Sequence, residues 1–361
     1  MVARVCLVSG GTGGHLMPAL VLGRALHARG HEPVLVTEGR EVERELLRRE
    51  PLVVRELHLP GGRPKALTLP FWLLRAVAAA RRLLREQAVG CVVSTGGRPS
   101  VPMGLAARSL GLPVFLLEQN AVTGRANRWL APLALRVYHG LPNAAGYGRR
   151  GVLTGTPLRA EFAAVDRRSA REALGLDERP VVLVTGGSQG AAVLNQMVPA
   201  ALLGTGLALQ VLHLAGLGND EAVRRAYAAG GGELVRAFVR PVAADMDRLF
   251  GAADLVVCRG GGTTVAELAA VGRPAVIVPY PHHKDRQQWH NAQVLGRAGA
   301  ALVIEERALT LASLTEQLGA LLRAPERLAA MGQCAAGQHP GDPVAAILAD
   351  LEQVLAAGAP S

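Results

Sequence analysis

Each half of this 361-residue chain begins with the same local unit, in which an apolar strand runs into a glycine-rich loop and then into a helix. The first copy is CLVSGGTGGH at 6–15, and the second is LVTGGSQG at 183–190. A glycine turn between a buried strand and a helix is typical of Rossmann-like domains, which bind ligands beyond the carboxyl ends of parallel strands. We therefore expect two such α/β domains facing each other across a cleft.

Short apolar runs alternate with helical patterns along the whole chain, as in a parallel sheet that is covered by helices. The alternation breaks near 155–157 and then restarts, which predicts domains at 1–158 and 159–340. Helical patterns at 310–322, 325–337 and 343–356 end the chain. The apolar runs predict strands at 2–8, 33–37, 52–57, 90–94, 113–117, 180–185, 208–214, 234–239, 254–258, 274–278 and 300–304.

The basic excess of the chain lies entirely in its first half. Residues 1–158 carry 21 Lys and Arg against 9 Glu, a net charge of +12, whereas residues 159–361 carry 18 against 20 acidic residues, a net charge of −2. A basic half favours an anionic partner such as a phosphate compound, a nucleic acid or a membrane surface. Nucleic acid is disfavoured because 4 Tyr and 5 Phe leave no aromatic-rich stacking surface.

Neither a disulfide framework, a zinc site nor a membrane-spanning helix is expected. The 4 cysteines lie far apart and form no C-x-x-C pair. The apolar run at 5–8 is too short for an export signal. The uncharged stretch at 180–219 is interrupted by glycines, a proline and polar residues, so it does not provide the roughly 20 apolar residues that a span needs. We therefore expect a cytoplasmic protein.

The first glycine loop predicts an anion site, because its backbone amides and the start of the following helix both favour negative charge. A tight turn without a ligand is the simpler alternative. A dinucleotide site is a second alternative, since Glu38 follows the second strand as a nicotinamide enzyme requires. The G-x-G-x-x-G pattern fails, however, because Leu16 occupies the position of the third glycine.

A third glycine turn, at 260–262, opens a helix with Thr263 and Thr264 at its start and Glu267 one turn inside. A carboxylate at this position can accept hydrogen bonds from two neighbouring ribose hydroxyls. Its structural alternative is the capping-box partner of Thr264, three residues earlier. In the second glycine loop, Ser188 is expected to cap a helix or to bind a phosphate oxygen.

Metal binding is not expected, although three histidines, His282, His283 and His290, follow closely in the sequence. No pattern places them on one face with a carboxylate. Asp245 and Asp247 match the D-x-D spacing of metal-dependent sugar transferases. Their surroundings predict the start of an amphipathic helix with both carboxylates in solvent.

Seven motifs in order along the chain resemble the MurG family of bacterial glycosyltransferases. They are GGTGGH at 10–15, EQN at 118–120, GTPLR at 155–159, GGSQGA at 186–191, CR at 258–259, TVAE at 264–267 and HKDRQQ at 283–288. The resemblance covers nearly the whole chain. It implies a GT-B fold, with two Rossmann-like domains and a final helix, about 341–361, that crosses back to the first domain.

The resemblance also implies the reaction. N-acetylglucosamine would pass from UDP-N-acetylglucosamine to the muramoyl 4-hydroxyl of undecaprenyl-diphospho-N-acetylmuramoyl-pentapeptide, with inversion and a β-1,4 product, as in peptidoglycan synthesis. Neither a cofactor nor a metal is implied, and the enzyme would lie peripherally on the cytoplasmic face of the plasma membrane. Two alternatives remain: an epimerase of UDP-N-acetylglucosamine that shares the donor cleft, and, more weakly, a nicotinamide-dependent dehydrogenase.

By matching position, the resemblance places the donor on residues of both halves, with the backbone of Ala243 against uracil and Gln287 beside the sugar. His15 is the candidate base, or else it orients the acceptor, which would lie by the glycine loops of the first domain. Arg98 stands where the family has a tyrosine and Leu117 where a histidine is common, and both departures are expected on the acceptor wall. The implied donor-binding residues are Thr12, Gly13, Gly14, Asn120, Arg159, Ser188, Ala243, Gly262, Thr263, Thr264, Val265, Ala266, Glu267, Gln287 and Gln288.

A lipid acceptor requires a surface that reaches the bilayer. Phe71 and Trp72 lie in a basic helical stretch with Arg75 and Arg82. The aromatic side chains are expected to enter the interface while the arginines meet anionic phospholipid head groups. The alternative is an ordinary helix that buries the two aromatic side chains in the core.

Overall fold

A computed structural model of the chain describes residues 2–11, 13–48, 50–60, 66–143, 146–230 and 234–357. The chain divides into two compact units. The first comprises Met1–Leu158 and Pro340–Ser361, and the second comprises Arg159–His339. Each unit is built on one parallel sheet, so the predicted fold class of two parallel-sheet α/β domains is confirmed.

The described part of the first unit contains a seven-stranded sheet. Its strands are β1 (Arg4–Ser9), β2 (Glu32–Thr37), β3 (Val53–Glu56), β4 (Cys91–Gly96), β5 (Val114–Glu118), β6 (Arg136–His139) and β7 (Gly151–Leu153). They lie in the order β3-β2-β1-β4-β5-β6-β7. The order reverses between β1 and β4, and this reversal is the point where ligands bind in open α/β sheets.

Helices cover both faces of this sheet. They are α1 (Gly13–Ala28), α2 (Glu41–Leu47), α3 (Leu69–Glu86), α4 (Ser100–Ser109), α5 (Arg125–Leu130) and α15 (Pro343–Ala356). Alternate residues of β1 belong to different cores, because successive strand side chains point to opposite faces. Val5 and Leu7 pack in one core with α1 and α15, and Cys6 and Val8 pack in the other with α3 and α4.

The described part of the second unit repeats the arrangement with six strands. They are β8 (Val181–Thr185), β9 (Leu209–Leu214), β10 (Val235–Arg240), β11 (Leu255–Cys258), β12 (Ala275–Ile277) and β13 (Ala301–Val303). Their order is β10-β9-β8-β11-β12-β13, so the reversal falls between β8 and β11. The helices are α6 (Glu161–Ala164), α7 (Arg167–Ala173), α8 (Ala192–Gly204), α9 (Asp220–Ala228), α10 (Met246–Ala252), α11 (Gly262–Val271), α12 (Gln287–Arg297), α13 (Leu311–Leu322) and α14 (Pro325–Ala336).

The predicted strands agree with the observed ones to within about two residues, but the prediction missed β6 and β7. β6 is a four-residue strand that contains Arg136 and His139, and β7 has three residues. β7 is the edge strand of the sheet and β6 is its neighbour, and neither strand is long enough to show a continuous apolar run. Their sequence pattern is therefore weak.

Candidate active site

The glycine loop of the first unit begins directly after β1 and meets the loop after β4. The amide of Gly10 donates to the Gly96 carbonyl oxygen at 3.1 Å. A Cβ on Gly97, whose φ is +96°, would lie 2.3 Å from the Gly10 carbonyl oxygen, so this contact requires glycine. Thr12 lies outside the described residues, Gly13 begins α1, and Gly14 is exposed.

Two glutamate side chains interact with groups in and beside this loop. The Gly11 amide, expected to face an anionic ligand, donates instead to Oε1 of buried Glu43 at 3.1 Å. Glu38 lies 3.0 Å from an Arg40 nitrogen and 3.6 Å from an Arg98 nitrogen through its Oε2. Arg98 thus stands beside the glycine loop, paired with an acidic residue, at a site where ligands bind in this fold.

His15, in the first turn of α1, is held through one ring nitrogen. Its Nδ1 lies 2.7 Å from the carbonyl oxygen of Thr95 at the end of β4. A carbonyl oxygen can only accept a hydrogen bond, so Nδ1 carries a proton and the neutral ring has its lone pair on Nε2. The half-buried ring therefore has the tautomer that a general base requires.

Glu118, the last residue of β5, is almost completely buried and was not predicted as a functional residue from the sequence. Its Oε1 accepts from the Asn120 backbone amide at 3.0 Å and from Asn120 Nδ2 at 2.9 Å, and its Oε2 accepts from the Gly124 amide at 2.8 Å and Asn127 Nδ2 at 3.0 Å. These four bonds shape the loop that carries Asn120. A carboxylate followed by two amides at a strand end was the signal that could have revealed this loop.

The expectation that Leu117 lines an acceptor wall is wrong. Its side chain is completely buried and packs in the core with Phe115 and Tyr138. Alternation along β5 directs Leu117 to the opposite face from its neighbours. This departure from the family therefore concerns packing, whereas Arg98 is exposed at the loop.

In the second unit, Ser188 does not cap a helix. α8 starts at Ala192 with Ala191 at its N-cap position, and Ser188 is exposed three residues earlier in the loop. The Gly190 amide closes this loop by donating to the Gly187 carbonyl oxygen at 2.9 Å. The Ser188 hydroxyl is thus accessible to a ligand at the carboxyl end of β8.

Glu267 lies in the second turn of α11, which starts at Gly262 with Gly261 at the N-cap position. Thr264 is therefore inside the helix, and the capping-box alternative for Glu267 is wrong. Burial raises the pKa of Glu267 to about 8, and the nearby Arg159 guanidinium acts in the opposite direction. A carboxyl with this pKa can bind a ligand through hydrogen bonds. Groups with strongly shifted pKa values concentrate at functional sites.

The expectation that the Asp247 carboxylate lies in solvent is wrong. It is buried and accepts a 2.8 Å hydrogen bond from Arg159. The predicted helix is present as α10, yet Asp245 on its N-terminal side is half-buried and lies 3.2 Å from Arg240. Both carboxylates are thus paired with arginines, and Arg159 lies among Asp247, Glu267 and the Phe162 ring.

The Gln288 side chain forms hydrogen bonds with two loops of the second unit. Its Oε1 accepts from the Gly260 amide at 3.1 Å and from the Tyr280 amide at 3.0 Å, so its Nε2 is the group it can offer a ligand. A Cβ on Gly260 would lie 2.2 Å from the Gln288 carbonyl oxygen. Gln287 and Ala243 are half-buried in neighbouring segments.

The start of α11 exposes backbone and hydroxyl groups in preference to apolar side chains. Val265, Ala266 and Gly262 are buried, so a ligand can meet these three residues only through their backbone. Thr263 and Thr264 are half-buried and can contribute hydroxyl groups. Among the described residues, no three His, Cys, Asp or Glu side chains come together as a metal site would require.

α3 exposes three of the four side chains that the sequence analysis assigned to a membrane contact. Phe71, Arg75 and Arg82 are exposed, and the Arg75 guanidinium lies 5.8 Å from the Phe71 ring centre. Trp72 is half-buried, because its indole N–H donates to the Pro60 carbonyl oxygen at 2.9 Å. Leu74 of α3 and Leu67, in the short turn before α3, are also exposed, by 67% and 97%.

Known proteins match both units. Residues 5–139 match the glycosyltransferase family 28 N-terminal domain, and residues 181–344 match the glycosyltransferase family 28 C-terminal domain. A Pseudomonas fluorescens protein named UDP-N-acetylglucosamine--N-acetylmuramyl-(pentapeptide) pyrophosphoryl-undecaprenol N-acetylglucosamine transferase is 41% identical over 93% of this chain and 94% of its own length. A protein of the same name from Ectopseudomonas mendocina is 40% identical with the same coverage.

Solved structures agree with these relatives. Acinetobacter baumannii MurG has a TM-score of 0.81 and 29% identity, and the match covers 97% of this chain and 99% of that one. A UDP-GlcNAc 2-epimerase from Neisseria meningitidis has a TM-score of 0.70 but only 13% identity, over 97% of this chain and all of that one, so it shares the fold alone. With both domain matches and 41% identity along nearly its whole length, the chain belongs to the MurG family within glycosyltransferase family 28.

Proposed function

We propose that this glycosyltransferase transfers N-acetylglucosamine from UDP-N-acetylglucosamine to the muramoyl 4-hydroxyl of undecaprenyl-diphospho-N-acetylmuramoyl-pentapeptide, forming a β-1,4 bond. The observation that carries the proposal is the match to transferases of that name along 93% of the chain. The epimerase alternative has only the shared fold in its favour. The dehydrogenase alternative is weakened because Glu38 is paired with arginines.

In this proposal the second unit binds the donor at the carboxyl ends of β8 and β11. Glu267 accepts hydrogen bonds from the ribose hydroxyls, and the backbone of Ala243 meets uracil. The hydroxyls of Ser188, Thr263 and Thr264 reach the diphosphate. Gln287 and the Nε2 group of Gln288 contact the sugar. The family resemblance also assigns donor contacts to Thr12, Gly13, Gly14 and Asn120 of the first unit.

The leaving diphosphate is stabilised without a metal. Arg159 supplies a positive charge, and the amides of the glycine loop at α11 supply preorganised donors, which act most strongly where charge develops in the transition state. Asp247 holds the Arg159 guanidinium from one side at 2.8 Å. This arrangement keeps the cation oriented before the substrate binds, so little reorganisation is needed during the reaction.

Bond making and proton transfer follow from these positions. The muramoyl 4-oxygen attacks the anomeric carbon as the bond from that carbon to the diphosphate oxygen breaks, and UDP leaves with the bonding electrons. The proton of the 4-hydroxyl passes to Nε2 of His15, whose Nδ1–H is held by the Thr95 carbonyl. Attack from the face opposite UDP inverts the configuration.

The acceptor is a lipid, and we propose that α3 brings the first unit to the cytoplasmic face of the plasma membrane. In the part of the chain that the structure describes, no helix is long and apolar enough to cross a bilayer. Leu67, Phe71 and Leu74 are exposed by 97%, 65% and 67%. They would enter the interface beside Arg75 and Arg82, which face anionic phospholipid head groups.

Calorimetric titration tests the donor site most directly. We expect binding of UDP and UDP-N-acetylglucosamine, weaker binding of UDP-glucose, and none of NAD. Glu267→Ala should weaken UDP binding by about 5- to 150-fold, since the two hydrogen bonds to the ribose hydroxyls contribute about 0.5–1.5 kcal/mol each. Exposed Glu316 provides the matched control, and Glu316→Ala should bind UDP as the wild type does. Equal UDP affinity in Glu267→Ala would remove Glu267 from the donor site.

The reaction itself is tested with both substrates. Transfer to the lipid acceptor should proceed unchanged in excess EDTA, and loss of activity there would contradict the metal-independent mechanism. Conversion of UDP-N-acetylglucosamine in the absence of acceptor would favour the epimerase alternative. Binding of NAD in preference to UDP-sugars would favour the dehydrogenase.

A further inference from the structure

The first unit contains a buried glutamine whose side-chain amide forms a hydrogen bond at only one of its two ends among the described residues. Gln119 follows β5 and is 2% exposed. Among the described residues, its Oε1 has no hydrogen-bond partner. A buried acceptor without a partner lowers the stability of the fold, so an apolar side chain of the same size would make the fold more stable. An amide that is kept at such a cost points to a role in function.

The other end of this amide is engaged with the support of His15. Gln119 Nε2 donates to the Thr95 carbonyl oxygen at 3.2 Å, and the same oxygen accepts from His15 Nδ1 at 2.7 Å. The Thr95 hydroxyl donates to the His15 carbonyl oxygen at 2.9 Å. Thr95 therefore holds both the ring and the backbone of His15, and Gln119 is the second donor on the oxygen that determines the tautomer.

The ring has little room to leave this position. A Cβ on Gly96, whose φ is +109°, would lie 2.9 Å from Cε1 and Nδ1 of His15. The ring thus packs directly on the backbone that follows Thr95. A rotation of the Thr95 peptide would break both of its accepted hydrogen bonds and would move the surface on which the ring lies.

We propose that Gln119 is a positioning residue for the base. By holding the Thr95 carbonyl, it keeps the proton of His15 on Nδ1 and the lone pair on Nε2. This inference rests on the proposed function, in which Nε2 takes the proton of the acceptor hydroxyl. Gln119 itself is not required to contact either substrate.

Gln119→Met tests the inference, because methionine has a similar size and lacks the amide. Groups that hydrogen-bond to a metal-bound histidine and fix its tautomer typically contribute 10- to 100-fold to activity, so for the same orienting role at His15 we expect kcat to fall about tenfold. Both KM values should stay within about twofold of the wild type. The melting temperature should be unchanged or higher, because an unpaired buried acceptor is removed.

Gln210→Met is the matched control. Gln210 is also completely buried, but both of its ends are used, since Oε1 accepts from the Asp177 amide and Nε2 donates to the Asp177 carbonyl oxygen, each at 3.2 Å. This variant should melt at a lower temperature and keep the wild-type kcat. If Gln119→Met loses as much thermal stability as the control, Gln119 is a structural residue and the inference is wrong.

Nitrogen NMR of histidine-labelled protein reads the tautomer without any substrate. The His15 signals, assigned with His15→Gln, should show a protonated Nδ1 and a bare Nε2 in the wild type and a mixture in Gln119→Met. A protonated Nε2 in the neutral wild-type ring, or a kcat of Gln119→Met within about twofold of wild type, would overturn the inference. Failure of the wild type to transfer the sugar would refute the proposed function instead, and the NMR result would stand apart from it.

Discussion

At the scale of single residues, Glu267 and Arg159 show how burial and charge compete at one site. Burial raises the pKa of Glu267 to about 8, far above its ordinary value of 4.5, although Arg159 acts against the shift. Arg159 cannot compensate fully because Asp247 already accepts its hydrogen bond at 2.8 Å. The ligand-free carboxyl is therefore largely protonated near neutral pH.

This shift predicts the pH dependence of stability. Between about pH 4.5 and pH 8 the folded protein keeps a proton on Glu267 that the unfolded chain has lost. The free energy of unfolding therefore falls as the pH rises through this window. Glu267→Gln should melt at a higher temperature than the wild type at pH 9 and at a similar temperature at pH 4. Scanning calorimetry at both pH values checks this. The same difference in melting temperature between the variant and the wild type at pH 4 and at pH 9 would contradict the prediction.

His15 predicts a defect in chemistry more than in binding. General-base catalysis typically contributes about 10²–10⁴-fold, so His15→Ala should lower kcat within that range while the donor KM changes less. Steady-state kinetics with varied donor and acceptor separates the two effects. His27→Ala, on an exposed position of the same helix, should leave kcat unchanged. A fall below tenfold in His15→Ala would reduce His15 to a residue that orients the acceptor.

At the scale of elements, α3 illustrates how one helix serves two surroundings. Ala76, Ala80 and Leu84 are buried against the sheet, while Phe71 and Leu74 point to solvent. Ordinary packing explains the first set but gives no reason for the second. Exposed apolar side chains that are bordered by arginines are typical of a membrane-facing surface.

Vesicle binding tests α3. We expect binding to vesicles with anionic phospholipid and not to neutral vesicles, with weakening by salt because exposed charges are screened. Phe71→Ala, Leu74→Ala, and the reversals Arg75→Glu and Arg82→Glu should weaken it, and Trp72→Ala should have a smaller effect because that ring is half-buried.

The matched controls for this experiment lie on the second unit. Leu311→Ala and Arg327→Glu change exposed residues there and should bind vesicles as the wild type does. Equal binding of the wild type to anionic and neutral vesicles would exclude this surface as the electrostatic docking site.

At the scale of the whole molecule, the last helix completes the unit in which the chain begins. Ile347, Leu348 and Leu351 of α15 are buried in the core of the first unit. Polar contacts reinforce this packing, since Tyr138 donates to Asp350 at 2.9 Å and Arg29 lies 3.1 Å from Glu352. The first unit is therefore made from both ends of the chain.

Loss of this packing should affect the first unit. Ile347→Ala removes a completely buried side chain and should lower the free energy of unfolding by about 2–5 kcal/mol. Hydrogen exchange should show the loss of protection in β1 and α1, and UDP binding should be retained. Ala357→Gly, beyond the end of α15, is the control. Loss of protection confined to β8 and β9 would contradict this assignment of the core.

Much of the architecture was predictable from the sequence, because the signals that determine it are local. Apolar strands, glycine turns and helical periods lie within short segments, so both Rossmann-like sheets and the three final helices were predicted. The motifs likewise identified the family. β6 and β7 were missed because a strand of three or four residues carries little of this pattern.

Contacts between distant residues depended on the tertiary structure. Arg159 meets Asp247 across 88 positions, and the Thr95 carbonyl determines the His15 tautomer across 80. The same dependence corrected the solvent position of Asp247, the capping role of Ser188 and the wall position of Leu117. Strand order and side-chain direction decide which side chains meet, and the periodicity of the sequence predicts that an element forms without specifying its neighbours.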